Sequence, residues 1–192
     1  MNQSKIKYNR LIEKAEELFV NLGYKAVSMD QIAEAAGISK MTIYRYFSSK
    51  EELFLKVLDL ITARMFGYIE DNIKDIEGTL NKIDGLLKIN IEQSRKYSLA
   101  FYKDVMEMPY ILDKVMKEKK RMATILFEDI IREGMERGEI RQVDEGFVAN
   151  VLISLMDGFA RNFEEISNTK EDIEAFAEKF YDFLKYGLFG RK

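Results

Sequence analysis

SMDQIAEAAGISKMTIYRYFSSK, residues 28–50, reads as a short helix, a glycine turn and a second short helix. Ser28 and Gln31 fit a capping box, in which the serine oxygen takes the amide three residues on and the glutamine reaches back to the cap. Ile32, Ala33 and Ala36 then share one helical face. Gly37 is placed to adopt the positive φ that closes a helix tightly, with Ile38 as the plug behind it. Ser39 is suited to cap the next helix, whose inward positions are Ile43 and Phe47. That leaves Lys40, Met41, Thr42, Tyr44, Arg45 and Tyr46 facing outward or sideways. Two tyrosines and a methionine on the surface of so short a helix are poor for solubility unless they meet something. A polar, basic and aromatic helix behind a compact frame is what reading the major groove of DNA requires.

Working outward, residues 6–22 carry Ile12, Ala15, Leu18 and Phe19 at helical spacing and stop at Gly23. Ser48 or Ser49, with Glu51 or Glu52 three residues later, opens a further helix. The result is three helices within about fifty residues. The run IEKAEELFVNLGYKAVSMDQIAEAAGISKMTIYRYFSSKEELF closely resembles the N-terminal domain of the tetracycline-repressor (TetR) family of transcriptional regulators. Ala15, Leu18, Phe19, Gly23, Tyr24, Ser28, Ile32, Ala33, Ala36, Gly37, Ser39, Thr42, Tyr44, Tyr46, Phe47, Lys50, Glu51 and Leu53 carry the resemblance, over roughly a quarter of the chain.

Composition limits the chemistry. The 192 residues include no cysteine and no histidine, which excludes zinc fingers, thiol nucleophiles, His-based triads, histidine-ligated metals and disulfides. No cofactor, metal site or catalytic residue is expected. Asp104 and Glu107 are available as acid and base, but surface solvation accounts for them and no phosphate loop accompanies them, so the chain is not read as an enzyme. There is no apolar run of eighteen residues, and the first ten residues have no apolar signal core; the expectation is a cytoplasmic protein without a membrane partner. One proline, Pro109, and long stretches of 3.6-residue period predict an all-α fold. Residues 1–50 hold eight Lys or Arg against five Asp or Glu, whereas the remainder is acidic, with 22 against 28. A basic head on an acidic body favours one orientation on DNA.

Beyond the head, helices are expected over 51–73, 79–96, 98–106 and 109–138. The first has Leu53, Val57, Leu60, Ile61, Met65, Tyr68 and Ile69 inward; the last has Met122, Ile125, Leu126, Ile130 and Ile131 inward. Two further helices, 144–166 and 169–189, carry apolar bands wider than one face needs, Phe147 to Phe163 in one and Ile173 to Leu188 in the other. Helices of that kind bury two sides, one of them against a second copy of the chain. The organisation expected is therefore a helix-turn-helix DNA-binding domain over 1–50 and a ligand-binding and dimerisation domain over 51–192.

The family resemblance implies the rest. The protein is expected to be a homodimer, joined through its last two helices, that represses transcription from a palindromic operator in double-stranded DNA and is released by a small apolar or aromatic effector. An activator or a constitutive binder on the same fold is the alternative. Ser28, Lys40, Met41, Thr42, Tyr44, Arg45, Tyr46 and Lys50 are the expected DNA contacts. Arg45 has the fork for guanine, worth about 1–3 kcal/mol of discrimination. Met41 and the Thr42 methyl suit thymine methyl groups, Tyr44 and Tyr46 hold the backbone, and Lys50 sits where helix-terminal amides favour phosphate. Tyr46 stands where the family often has histidine, which removes a pH switch there. If only Lys40 and Lys50 neutralise phosphates, a dimer makes about four such contacts and its salt slope is about −4. By the same resemblance Tyr68, Phe101, Tyr102, Met122, Phe127, Met156, Phe159 and Phe163 line the effector cavity, because methionine and aromatic rings make adaptable apolar walls.

Overall fold

The computed structural model describes residues 3–161 and, beyond them, Ala175, Glu178, Lys179, Asp182, Phe183 and Tyr186. Eight helices occur in order among the described residues: α1 (Gln3–Leu22), α2 (Met29–Ala36), α3 (Lys40–Tyr44), α4 (Lys50–Ile73), α5 (Thr79–Ser94), α6 (Leu99–Met106), α7 (Pro109–Glu136) and α8 (Glu145–Arg161). No strand is present among them, and none of their helices is long and apolar enough to cross a membrane. The fold class is all-α, as the periodicity requires. The end of the expected 144–166 helix past Arg161, and most of the 169–189 helix, lie outside the described residues.

Helix ends follow local chemistry. Both halves of the Ser28–Gln31 box are formed, at 3.2 Å from the Gln31 amide to the serine oxygen and 2.7 Å from the Ser28 amide to the glutamine oxygen. Gly37, at φ 61°, turns the chain while its amide and that of Ile38 satisfy the Glu34 and Ala33 carbonyls, both at 3.0 Å. Ser39 caps α3 through the Thr42 amide at 3.1 Å. Ser49 caps α4 through the Glu52 amide at 3.0 Å, and the Glu52 carboxylate bonds back to the amide and hydroxyl of Ser48 rather than to Ser49. Ser98 caps α6, and Pro109 opens α7, where its missing amide costs nothing.

The chain forms two compact units. The first comprises 1–64 with 95–115, the second 65–94 with 116–192. In the first, Leu11, Ala15, Phe19, Ile32, Ile43, Leu53, Phe54 and Val57 are sealed from solvent, together with Phe101 and Ile111. Phe54 is its aromatic centre, with ring centroids 4.9 Å from Phe19, 4.9 Å from Tyr24 and 6.0 Å from Phe101. In the second, Phe66, Ile69, Ile73, Ile83 and Leu86 pack with Leu126, Phe127, Ile130, Ile131, Ala149, Leu152 and Ile153.

Two expected inward positions are corrected. Tyr68 is 43% exposed and Ile125 is 50% exposed. The first half of α4 buries two sides, through Leu53, Phe54, Val57, Leu58 and Ile61, whereas the second half buries only the stripe of Phe66, Ile69 and Ile73, and Tyr68 falls off that stripe, about a quarter-turn from Ile69. In the second-unit part of α7 the large buried residues are Leu126, Phe127, Ile130 and Ile131, whose common direction is opposite Ile125.

Candidate nucleic-acid interface

Ile43 on α3 and Phe47 just beyond it are the two anchors of the reading segment, 0% and 6% exposed, and they turn Lys40, Met41, Tyr44 and Arg45 outward. Met41 is 73% exposed and Tyr44 45%. Arg45, at the C-cap of α3, is exposed and its side chain makes no hydrogen bond or ion pair among the described residues, so its guanidinium fork is available for a base edge. The Thr42 hydroxyl lies 2.8 Å from that of Ser39. Ser28 is exposed, with its oxygen engaged as the cap of α2. These residues lie on one short surface formed by the start of α2 and the whole of α3.

Besides Thr42 and Ser28, three further expected contacts already have intramolecular partners. Lys40 pairs with Asp30 at 2.8 Å, and that hydrogen bond raises its pKa. Both groups are substantially exposed, so the pair is cheap to open. The Tyr46 hydroxyl bonds to Ser4, 2.8 Å from its hydroxyl, and its ring stands edge-on to Tyr8 at 5.3 Å. Lys50 points inward: its ammonium donates to the carbonyls of Tyr24 and Val27, both at 2.8 Å, and lies 4.0 Å from the centre of the Tyr24 ring. Burial pushes its pKa below the ordinary lysine value, with Asp104 partly opposing the shift. Lys50 therefore braces the α1–α2 turn and keeps one N–H for any phosphate.

The same turn has two supports that no local pattern announces. Asp104, on α6, accepts the Lys25 amide at 2.8 Å, and the Ser98 amide donates to the Val20 carbonyl at 3.0 Å. Gly23, at φ 84°, permits this approach: a Cβ there would meet the Asp104 carboxylate at 2.6 Å and the Ala100 backbone at 3.1 Å. Arg10 of α1 likewise reaches over Gly37 to bond the Ala36 carbonyl. The sequence spacing carries no signal for either, since the partners lie 79 and 26 residues apart.

The expected cavity residues divide between the units. Phe101 and Tyr102 belong to the first, where Phe101 is core against Phe54 and Tyr97. Met122 and Phe127 pack in the second, Phe127 fully and Met122 partly buried. Tyr68 is on the surface, while the side chains of Met156 and Phe159, and all of Phe163, lie outside the described residues. A groove of about 620 Å³ in the first unit, with Tyr8, Ile12, Glu16, Leu60 and Arg64 among its walls, includes none of the eight.

A capped helix, a left-handed glycine and a short exposed helix on a three-helix core define a helix-turn-helix DNA-binding protein with an additional helical body. Residues 11–57 match the model of bacterial regulatory proteins of the tetR family, so the chain carries the DNA-binding domain of that family of transcriptional regulators. It is similar to the transcriptional activator FasR of Mycolicibacterium smegmatis, 29% identical over 145 residues, covering 73% of this chain and 66% of that one. It is also similar to the transcriptional repressor KstR2 of the same organism, 27% identical over 141 residues, covering 69% and 67%. The chain thus spans about two thirds of the length of both regulators. Among solved structures, FadR of Bacillus subtilis in complex with stearoyl-CoA shares the fold, with TM-score 0.66 and 18% identity over 94% of this chain and 98% of that one.

Proposed function

We propose that this protein is a homodimeric repressor that reads an inverted-repeat operator with α3 and leaves it when a small apolar effector enters the helical body. The observation that carries the reading is the outward set Met41, Tyr44 and Arg45 on a helix whose only buried residue is Ile43. In this division of labour residues 1–50 bind DNA, and 51–192 bind effector and partner. Arg45 reads guanine, Met41 and Thr42 meet thymine methyl groups, and Tyr44, Tyr46 and Ser28 hold the backbone. Lys40 exchanges Asp30 for phosphate, and Lys50 offers its remaining N–H. A second copy of the chain covers the wide apolar bands at the C-terminus; Phe147, 67% exposed on α8, is one such uncovered ring. The stearoyl-CoA held by the Bacillus subtilis FadR directs the effector class towards long-chain acyl compounds. The protein works in the cytoplasm and catalyses no reaction.

The test is selection of bound sequences from a random pool of double-stranded DNA by the purified full chain. Enrichment of an inverted repeat, followed by its release on adding dodecanoyl-CoA, is the expected result. No enrichment at low salt would overturn the reading of α3. Enrichment with transcription raised by the bound protein would make it an activator.

A further inference from the structure

One lysine interrupts the buried stripe of α7. Lys119 precedes Ala123 by four residues, Leu126 by seven and Ile130 by eleven, so a 3.6-residue turn places all four on one side of the helix. Ala123, Leu126 and Ile130 pack into the core of the second unit, while Ile125 marks the solvent side. Lys119 itself is partly buried, and its ammonium has no hydrogen bond or ion pair among the described residues. Burial pushes its pKa below the ordinary lysine value, with no neighbouring carboxylate to raise it again. Lys82 in the same unit shows the usual solution: it is 8% exposed and paired with Glu133. Around Lys119 the charge has the same sign. Residues 117–121, KEKKR, set four cations against one carboxylate, and that carboxylate, Glu118, is taken by Arg121 at 2.7 Å. Neither Lys117 nor Lys120 has a partner among the described residues. A desolvated ammonium beside like charges is costly unless an anion completes it.

We infer that Lys119 is the seat of the effector's acidic head, and that the effector is an anionic amphiphile. This rests on the reading of the body as an effector-binding domain. The head supplies a negative oxygen, either the carboxylate of a free acid or a phosphate of an acyl-CoA, and Lys117 and Lys120 draw it in. Calorimetric titration of the full chain with dodecanoate, dodecanoyl-CoA and uncharged 1-dodecanol separates these sources. The wild type is expected to bind at least one of the two anions. Lys119→Met should weaken that anion at least tenfold, leave 1-dodecanol unchanged, and raise the melting temperature of the free protein. Lys119→Arg should retain anion binding within about threefold, because the charge is kept. Failure of the wild type to bind either anion overturns the inference, as does equal anion affinity in Lys119→Met or an equal loss for the alcohol. A gel shift on the selected operator distinguishes the two levels. Anion binding through Lys119 with no change in DNA affinity would sink the effector reading while leaving the anion seat intact.

Discussion

The two units of this molecule solve the same problem, closing helices around an apolar core, with different materials. The first is tied largely through its backbone: Lys50 and Asp104 hold carbonyls and an amide of one turn, and rings of Phe19, Tyr24, Phe54 and Phe101 form the centre. The second has a largely aliphatic core, with Phe66 and Phe127 as its buried rings, and is tied through side chains, Lys82 to Glu133 and Thr79 to Glu139. Backbone ties fix where a surface helix stands, which a reader of base edges needs.

Substitutions can break this contrast. Gly23→Ala should have the largest effect, since a side chain there meets Asp104 and the Ala100 backbone and φ 84° strains any L-residue. A loss of at least about 2 kcal/mol is expected in thermal unfolding, with DNA binding abolished. An unchanged melting temperature would show that the α1–α2 turn has room to move. Lys50→Met should follow, at about 2 kcal/mol, through the loss of two charge-assisted bonds to carbonyls. Its sign is opposite to that expected for Lys119→Met, so the pair tests whether a desolvated lysine is judged by its partners or by its burial alone.

Gly67→Ala, in the second unit, sharpens the comparison from the other side. Nothing lies within 4 Å of an added Cβ, and the site is inside α4. A gain of about 0.5–1 kcal/mol in chemical unfolding is expected. Acid should affect both units. Serine bonds hold Glu52, the Lys82 ammonium holds Glu133 and Thr79 bonds hold Glu139 below the usual carboxylate value of 4.5. A depressed folded pKa gives stability that is present above 4.5 and lost as pH falls through the folded values. Melting temperature should therefore be level above that point and decline below it, and Glu139→Gln should flatten the decline.

The smallest effect concerns Asp30. Asp30→Asn removes the anion that occupies Lys40, so operator affinity should rise a few-fold at low salt without a change in sequence preference. The salt slope itself reports on Lys50: about −4 if its free N–H takes a phosphate in each protomer, about −2 if Lys40 acts alone. A slope near zero would remove both lysines from the interface.

What could be read from the sequence was what is decided within four residues. Ser28 with Gln31, Gly37, Ser39 and the burial of Ile43 and Phe47 all follow from neighbours along the chain, and the structure forms each one. Lys50 was legible as a cation at a helix start, but not as a brace, because its acceptors are carbonyls 26 and 23 residues away. Asp104 read as a surface acid because its partner is a backbone amide, which no residue type advertises. Tyr68 was misplaced because α4 carries apolar residues on more than one side, and periodicity alone cannot choose the stripe that meets the core.

The first unit is discontinuous in the chain, and this bears on how the protein is made. Phe101, Asp104 and Ile111 come from a segment that follows the reading helix by more than fifty residues. On a ribosome adding roughly 5–20 residues per second, α3 emerges several seconds before the side chains that complete its support. A nascent chain ending at residue 64 leaves the Phe54 ring without Phe101 against it and the Lys25 amide without its carboxylate. The first unit is therefore completed only after the synthesis of α6 and the start of α7, and a chain ending at residue 64 is expected to bind the operator more weakly than the full chain in a gel shift.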